Sequence, residues 1–152
     1  MRSGSRRQLP EAVHRQLGHA DVVLHAGDVL DHSVLAALAS YAPTHAVLGN
    51  NDVGLAGVLP ETRVVDVGGV AVAMIHDSGP RTGRERRMQR RFPGVPVVVF
   101  GHSHIPWNAA GLDGQLLFNP GSPTDRRRQP HCTMGLLECD DGLVVRHDIV
   151  VV

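Results

Sequence analysis

The stretch Val97-Val98-Val99-Phe100-Gly101-His102-Ser103-His104 constrains this chain more than any other. Four consecutive large apolar residues predict a strand buried on both faces, and such a strand belongs inside a sheet covered by other layers. Gly101 lets the backbone turn sharply where the strand ends. His102 and His104, at i and i+2 beyond it, are then aimed into one crevice. Neutral imidazole is the commonest protein ligand for a transition metal. Two ordinary loop histidines are the plainer reading of the same residues, in a chain that holds ten His.

The rest of the chain supplies the layers around that strand. Pro10 to Leu17 predicts a short amphipathic helix, and Asp21 to Asp28 a strand ending in Gly27-Asp28. Asp31 is an expected N-cap for a helix carrying Val34, Leu35, Leu38 and Tyr41. Thr44 to Leu48 follows as a strand that runs into Gly49-Asn50-Asn51-Asp52. Thr62 to Val67 and Val70 to Ile75 form a hairpin around Gly68-Gly69, and its second strand ends in His76-Asp77. Arg81 to Arg91 reads as a basic helix with Met88 and Phe92 on one face. Ile105 to Ala110 with Gln115 to Asn119, and Thr133 to Cys139 with Leu143 to Val151, are two further hairpins. Strand–helix alternation in the first half and hairpins in the second predict α/β layers around two sheets.

Bulk properties narrow the class. A chain of 152 residues with 42% hydrophobic content is expected to fold as one domain, 1–152. A formal net charge of zero argues against nucleic acid or an anionic membrane as an obligatory partner. Every basic residue is Arg, a compositional bias in which we read no function. Cys132 and Cys139 match no zinc or redox spacing and are expected to be reduced thiols. No apolar run reaches membrane-spanning length, and a cytoplasmic protein is expected.

Four strands therefore end in polar clusters: Gly27-Asp28, Gly49 to Asp52, His76-Asp77 and Gly101 to His104. In open α/β sheets the ligand crevice lies at the carboxyl ends of strands, so these clusters converge. Asp, Asn and three His make a mixed oxygen and nitrogen set suited to Mn²⁺, Fe or Zn²⁺. A carboxylate can bridge two such cations, and a metal pair is a standard device for phosphoester hydrolysis.

In this order, GD, GNND, a strand-terminal His and GHSH resemble the calcineurin-like metallophosphoesterase superfamily, most closely its small bacterial and archaeal phosphodiesterase branch. The resemblance runs from about Leu9 to the C-terminus. It implies a four-layer αββα sandwich of two mixed β-sheets flanked by helices. It implies hydrolysis of a phosphoester, expected to be a phosphodiester, by metal-bound hydroxide. The metal is expected to be Mn²⁺, with Fe, Zn²⁺ or Ni²⁺ as alternatives. Asp28 would bridge two metals, Asn50, His76 and His102 would complete one shell, and His104 would bind the other metal. Asn51 and His104 would serve catalysis; Asn51 occupies the place where many members carry a His that protonates the leaving group. Asp52 would orient a neighbouring ligand.

The chain departs from the family at one place. Members open with a strand ending in Asp-x-His, and none occurs near this N-terminus. We therefore expect an N-terminally truncated domain that keeps five of seven ligand positions, with one complete metal shell and one depleted to Asp28 and His104. Bared strand edges would favour a homo-oligomer. The same departure supports a second reading, a non-catalytic scaffold acting in protein–protein interaction, for which a retromer subunit with this fold is the precedent.

Other residues carry paired readings. Asp77 is a supplementary ligand or brake, or a solvated loop carboxylate. His25 is a satisfied strand-end histidine before it is a ligand, and nothing requires His32. The Arg81 to Arg91 helix is a solvated face before it is a nucleic-acid footprint. Arg126 and Arg127, within Arg126 to Arg128, are candidate phosphate clamps or surface charge. Trp107 is expected to pack.

Overall fold

The computed structural model describes residues 8–29 and 32–152. The cap expected at Asp31 lies outside them. The elements are α1 (Glu11–Leu17), β1 (Val23–His25), α2 (His32–Ala39), β2 (Thr44–Ala46), β3 (Thr62–Val67), β4 (Val70–Ile75), α3 (Arg84–Arg91), β5 (Val97–Phe100), β6 (Trp107–Ala110), β7 (Leu116–Asn119), β8 (Thr133–Asp140) and β9 (Leu143–Val151).

Several elements are shorter than the pattern predicts, each for a local reason. β1 stops at His25 because Gly27 and Asp28 take φ values of 107° and 56°, which no strand tolerates. α3 starts at Arg84 rather than Arg81, since Gly83 is left-handed at its N-cap. Val34 and Tyr41 do not belong to a buried helix face. Both are exposed, and Tyr41 lies beyond α2, where its hydroxyl sits 2.6 Å from His14 Nδ1.

β5 occupies the middle of a five-stranded sheet in the order β3-β4-β5-β7-β6. It runs parallel to β4 and β7, while β3 and β6 close the edges antiparallel. Its four side chains alternate between two cores. Val97 and Val99 join Val70, Val72, Met74 and Val47, with Leu24 and Leu137 packed against them from the facing layer. Val98 and Phe100 join Ala73, Leu117, Met88 of α3 and Phe92 just beyond it. That double burial is why the run is apolar at every position.

The facing layer consists of a parallel pair, β1-β2, and an antiparallel pair, β8-β9. α1 and α2 cover the first pair through Val13, Leu17, Val23, Leu38 and Ala42. The chain thus has a mixed α/β fold with a central mixed sheet and helices on both sides. The second layer forms two ladders rather than one continuous sheet, because no described strand joins β1 to β8. A cavity of about 110 Å³ lies between them, lined by residues including Leu24, Val99, Phe118 and Leu137. No described helix is long and apolar enough to cross a membrane.

Leu117 is fully buried in the α3-facing core, and Leu143 is 67% exposed. Leu117→Ala should destabilise the fold by about 2–5 kcal/mol in urea unfolding. Leu143→Ala should stay within about 0.5 kcal/mol of the parent.

Candidate metal centre

The loops after β1, β2, β4 and β5 meet at one edge of the two layers, and His76 is where they join. Its backbone carbonyl accepts the Gly101 N–H at 2.9 Å, which locks the ends of β4 and β5 together. Its Nδ1 lies 2.7 Å from Ala26 O in the facing layer. A carbonyl can only accept, so Nδ1 carries the proton and Nε2 presents a lone pair. That lone pair points to Asn50 Oδ1 at 2.8 Å, His102 Nδ1 at 3.2 Å and Asp28 Oδ2 at 3.4 Å. His102 Nδ1 also lies 3.2 Å from Asn50 Oδ1.

This convergence has a chemical consequence. An imidazole lone pair and an amide oxygen 2.8 Å apart repel each other unless positive charge lies between them. A proton on His102 Nδ1 can serve one of these acceptors, not all of them. Around a cation with bonds of about 2.1 Å, adjacent donor atoms stand roughly 3.0–3.4 Å apart. The separations among these groups run from 2.8 to 3.4 Å, close to that range, and their chemistry suits a divalent transition metal. Among the described residues no group of three His, Cys, Asp or Glu side chains is arranged to hold a metal ion unaided. The Asn50 amide oxygen is the donor that completes this set.

The backbone is strained to deliver these groups. Asp28, His102 and His104 are all left-handed, with φ of 56°, 68° and 61°. Such conformations cost a non-glycine residue roughly 1–2 kcal/mol each, and they cluster at functional sites. Arg127 is the fourth such residue near the site, at 49°; Asp113 and Asp141 belong to hairpin turns. Close approach here depends on absent side chains: a Cβ on Gly27 would overlap His76 across the layers, and one on Gly49 would overlap Asp28 within the facing layer.

The remaining predicted residues fall into two groups. Asn51 sits at the cluster: its N–H and Nδ2 donate to Asp28 Oδ1 and Oδ2 at 2.9 and 3.3 Å. Asp52 is buried and accepts the Gly49 N–H at 2.8 Å, fixing the turn that carries Asn50. Asp77 Oδ2 stands 4.0 Å from His102 Nε2, while its Oδ1 accepts the Gly79 N–H. His104 is held differently. Its Nδ1–H donates to Asp125 O at 2.7 Å, leaving Nε2 with the lone pair. Arg127 donates to His102 O at 3.1 Å, whereas Arg126 turns to Gln129 O.

Sequence reasoning missed Asn119 as a site residue. Fully buried, it donates from Nδ2 to Gly101 O and Ser103 Oγ and accepts the Gly121 N–H, tying the histidine loop to the loop after β7. Its one sequence signal is an amide at the end of an apolar strand, just before Pro-Gly. A cleft of about 240 Å³, lined by Gly49, Asn50, Glu61, Ile75, His76 and Asp77, adjoins the cluster.

Residues 5–142 match the calcineurin-like phosphoesterase superfamily domain. The chain belongs to this superfamily. It is 35% identical over 120 residues to a probable metallophosphoesterase of Methanocaldococcus jannaschii; the match covers 77% of this chain and spans 60% of that relative's length. Its fold is similar to that of Entamoeba histolytica Vps29 complexed with zinc, with a TM-score of 0.75 at 23% identity, covering 97% of this chain and 92% of that one. It is also similar in fold to an archaeal phosphodiesterase, with a TM-score of 0.67 at 19% identity over 92% of this chain and 88% of the other. The superfamily is metal-dependent, and the four-donor cluster is where this chain's residues fit a metal.

His25 lies behind the cluster. Burial lowers its pKa from the ordinary 6.5, against the opposing pull of Asp52 and Asp28, and nearby His76 adds to the lowering. Its Nδ1 accepts the Gly27 N–H at 3.2 Å, a bond that protonation there would break. Above pH 6.5 neither state holds the proton. Below it the unfolded chain takes up a proton that the folded chain refuses, so stability falls as pH drops from 6.5 toward the lowered folded value. His25→Gln should flatten that part of the stability–pH curve in urea titrations. Gly49→Ala should abolish stoichiometric binding of Mn²⁺ in calorimetry, because its Cβ displaces Asp28.

Proposed function

We propose that this superfamily member is a metal-dependent phosphoesterase acting on phosphodiesters. The observation that carries the reading is the convergence of Asp28, Asn50, His76 Nε2 and His102 Nδ1, with the His76 lone pair fixed inward by Ala26 O. These four would hold a divalent transition metal, for which Mn²⁺ is our choice. When bound, such a metal polarises phosphoryl oxygens and lowers the pKa of water.

The chain's own residues do the remaining work. Ala26 O and Gly101 N–H hold His76 in one tautomer and one orientation. Asn51, on the rim, offers amide hydrogens to the Asp28 carboxylate and can offer them to a phosphoryl oxygen. An amide cannot release a proton, so the leaving group would take its proton from water or from another acid. His104, with Nε2 free to accept and Nδ1 anchored on Asp125, is the second imidazole available to the reacting groups. Arg127, bonded to His102 O and exposed, would be the arginine to meet a phosphate rather than Arg126, which bonds to Gln129 O.

A scaffold role in protein–protein interaction is the second reading. The edges of β1 and β8, between which no strand lies among the described residues, favour it. Hydrolysis of bis-p-nitrophenyl phosphate with Mn²⁺ separates the two. The phosphoesterase reading expects turnover that EDTA removes and that His76→Ala or Asn50→Ala lowers by about 100-fold or more, at least the cost of losing an outer-shell partner. Stoichiometric metal binding without turnover would instead assign the chain to the scaffold class.

A further inference from the structure

We propose that Arg84 and Arg81, stacked against Trp107, form an anion subsite beside the histidine cluster that receives a second phosphate group of the substrate. The assignment of the anion to the substrate rests on the phosphoesterase reading above.

Arginine is almost never fully buried without a charged partner. Arg84 is only 8% exposed, and the one bond to its guanidinium is from Nε to Ser78 Oγ at 3.0 Å. Neither Nη has an acceptor among the described residues. Arg87, one turn along α3, shows the ordinary alternative: its Nη groups donate to the carbonyls of Ser78, Pro80 and Thr82. Arg84 reaches none of these.

Arg84 is held by aromatic faces instead. Its guanidinium carbon lies 4.8 Å from the Phe100 ring centre and 5.2 Å from that of Trp107. Arg81 places a second guanidinium 4.8 Å from the same indole. Two like charges thus share one ring, and neither forms an ion pair among the described residues. Burial lowers the Arg84 pKa from its ordinary value; Glu85 opposes this, Arg87 and Arg81 reinforce it, and Asp77 opposes it least. The Trp107 Nε1–H is enclosed without an acceptor, a further unused donor on the same shelf.

Three short stretches of chain join the shelf to the histidine cluster and its loop. Ser78 lies two residues after His76, Phe100 two before His102, and Trp107 three after His104. Asp77 stands 4.0 Å from His102 while its field reaches Arg84. A planar guanidinium with both Nη groups unengaged matches the bidentate geometry of phosphate. A dianion there would relieve the repulsion between the two arginines. The favoured substrate is then a phosphodiester that also bears a phosphate group, rather than a simple neutral-armed diester.

Trp107 is the only tryptophan, so its fluorescence reports on the shelf directly. The test is a titration of metal-free protein in EDTA with inorganic phosphate, followed by Trp107 emission. The expected result is a saturable change whose apparent affinity falls about tenfold or more in Arg84→Met, which keeps the apolar stem and loses the charged donors. Arg81→Met, at an exposed position, should weaken it as well, and this keeps the test decisive if Arg84→Met fails to fold. A change that never saturates, or one untouched by the variants that fold, overturns the subsite. Turnover of bis-p-nitrophenyl phosphate tests the other reading separately: phosphate binding without turnover keeps the subsite and removes the phosphoesterase, and turnover without phosphate binding does the reverse.

Discussion

One imidazole ring joins the halves of this molecule. His76 leaves the central sheet at the end of β4, donates from Nδ1 to Ala26 O in the facing layer, and accepts the Gly101 N–H through its own backbone. Both layers and the β5 loop are thereby fixed relative to a single side chain. The interaction also decides the chemistry, because anchoring Nδ1 on a carbonyl leaves Nε2 as an acceptor facing inward. Asn50, Asp28 and His102 gather around that atom within 3.4 Å. Fold and site therefore share one constraint: the layers must approach closely enough for Ala26 O to meet His76, which Gly27 permits by having no Cβ.

The backbone strain makes sense in that setting. Left-handed residues at 28, 102 and 104 each oppose folding, and the two cores that sandwich β5 supply the stability that offsets them. Asn119 extends the same logic to the far side of the site. By gripping Gly101 O and Ser103 Oγ, it holds the histidine loop against the loop after β7. Asp125, in the segment that follows, then orients His104. The arrangement is a set of short, distorted loops pinned to a rigid sheet edge.

What was legible in the sequence was whatever depends on neighbours along the chain. The VVVF run read as a doubly buried strand because burial on both faces leaves no polar position. The polar clusters at 27–28, 49–52, 76–77 and 101–104 were visible because each directly follows an apolar strand. Strand ends were misjudged where a residue other than glycine turns left-handed, as Asp28 does at the end of β1. Asn119 was illegible because its partners lie 16 and 18 residues away and are met only in three dimensions. Arg84 was misread for a related reason. A run of arginines on a short helix reads as a solvated face, yet the first of them is turned under Phe100 and Trp107. Helical periodicity records which face is apolar, and a guanidinium stacked on aromatic rings is buried without being apolar.

The central claim is that Asp28, Asn50, His76 and His102 hold one divalent cation between them. A crystal grown with Mn²⁺ and measured for anomalous scattering tests this directly. The account predicts a strong peak about 2.0–2.3 Å from Asn50 Oδ1, His76 Nε2, His102 Nδ1 and an Asp28 carboxylate oxygen. Manganese found only on surface carboxylates, with His76 Nε2 hydrogen-bonded to protein or water alone, would contradict it.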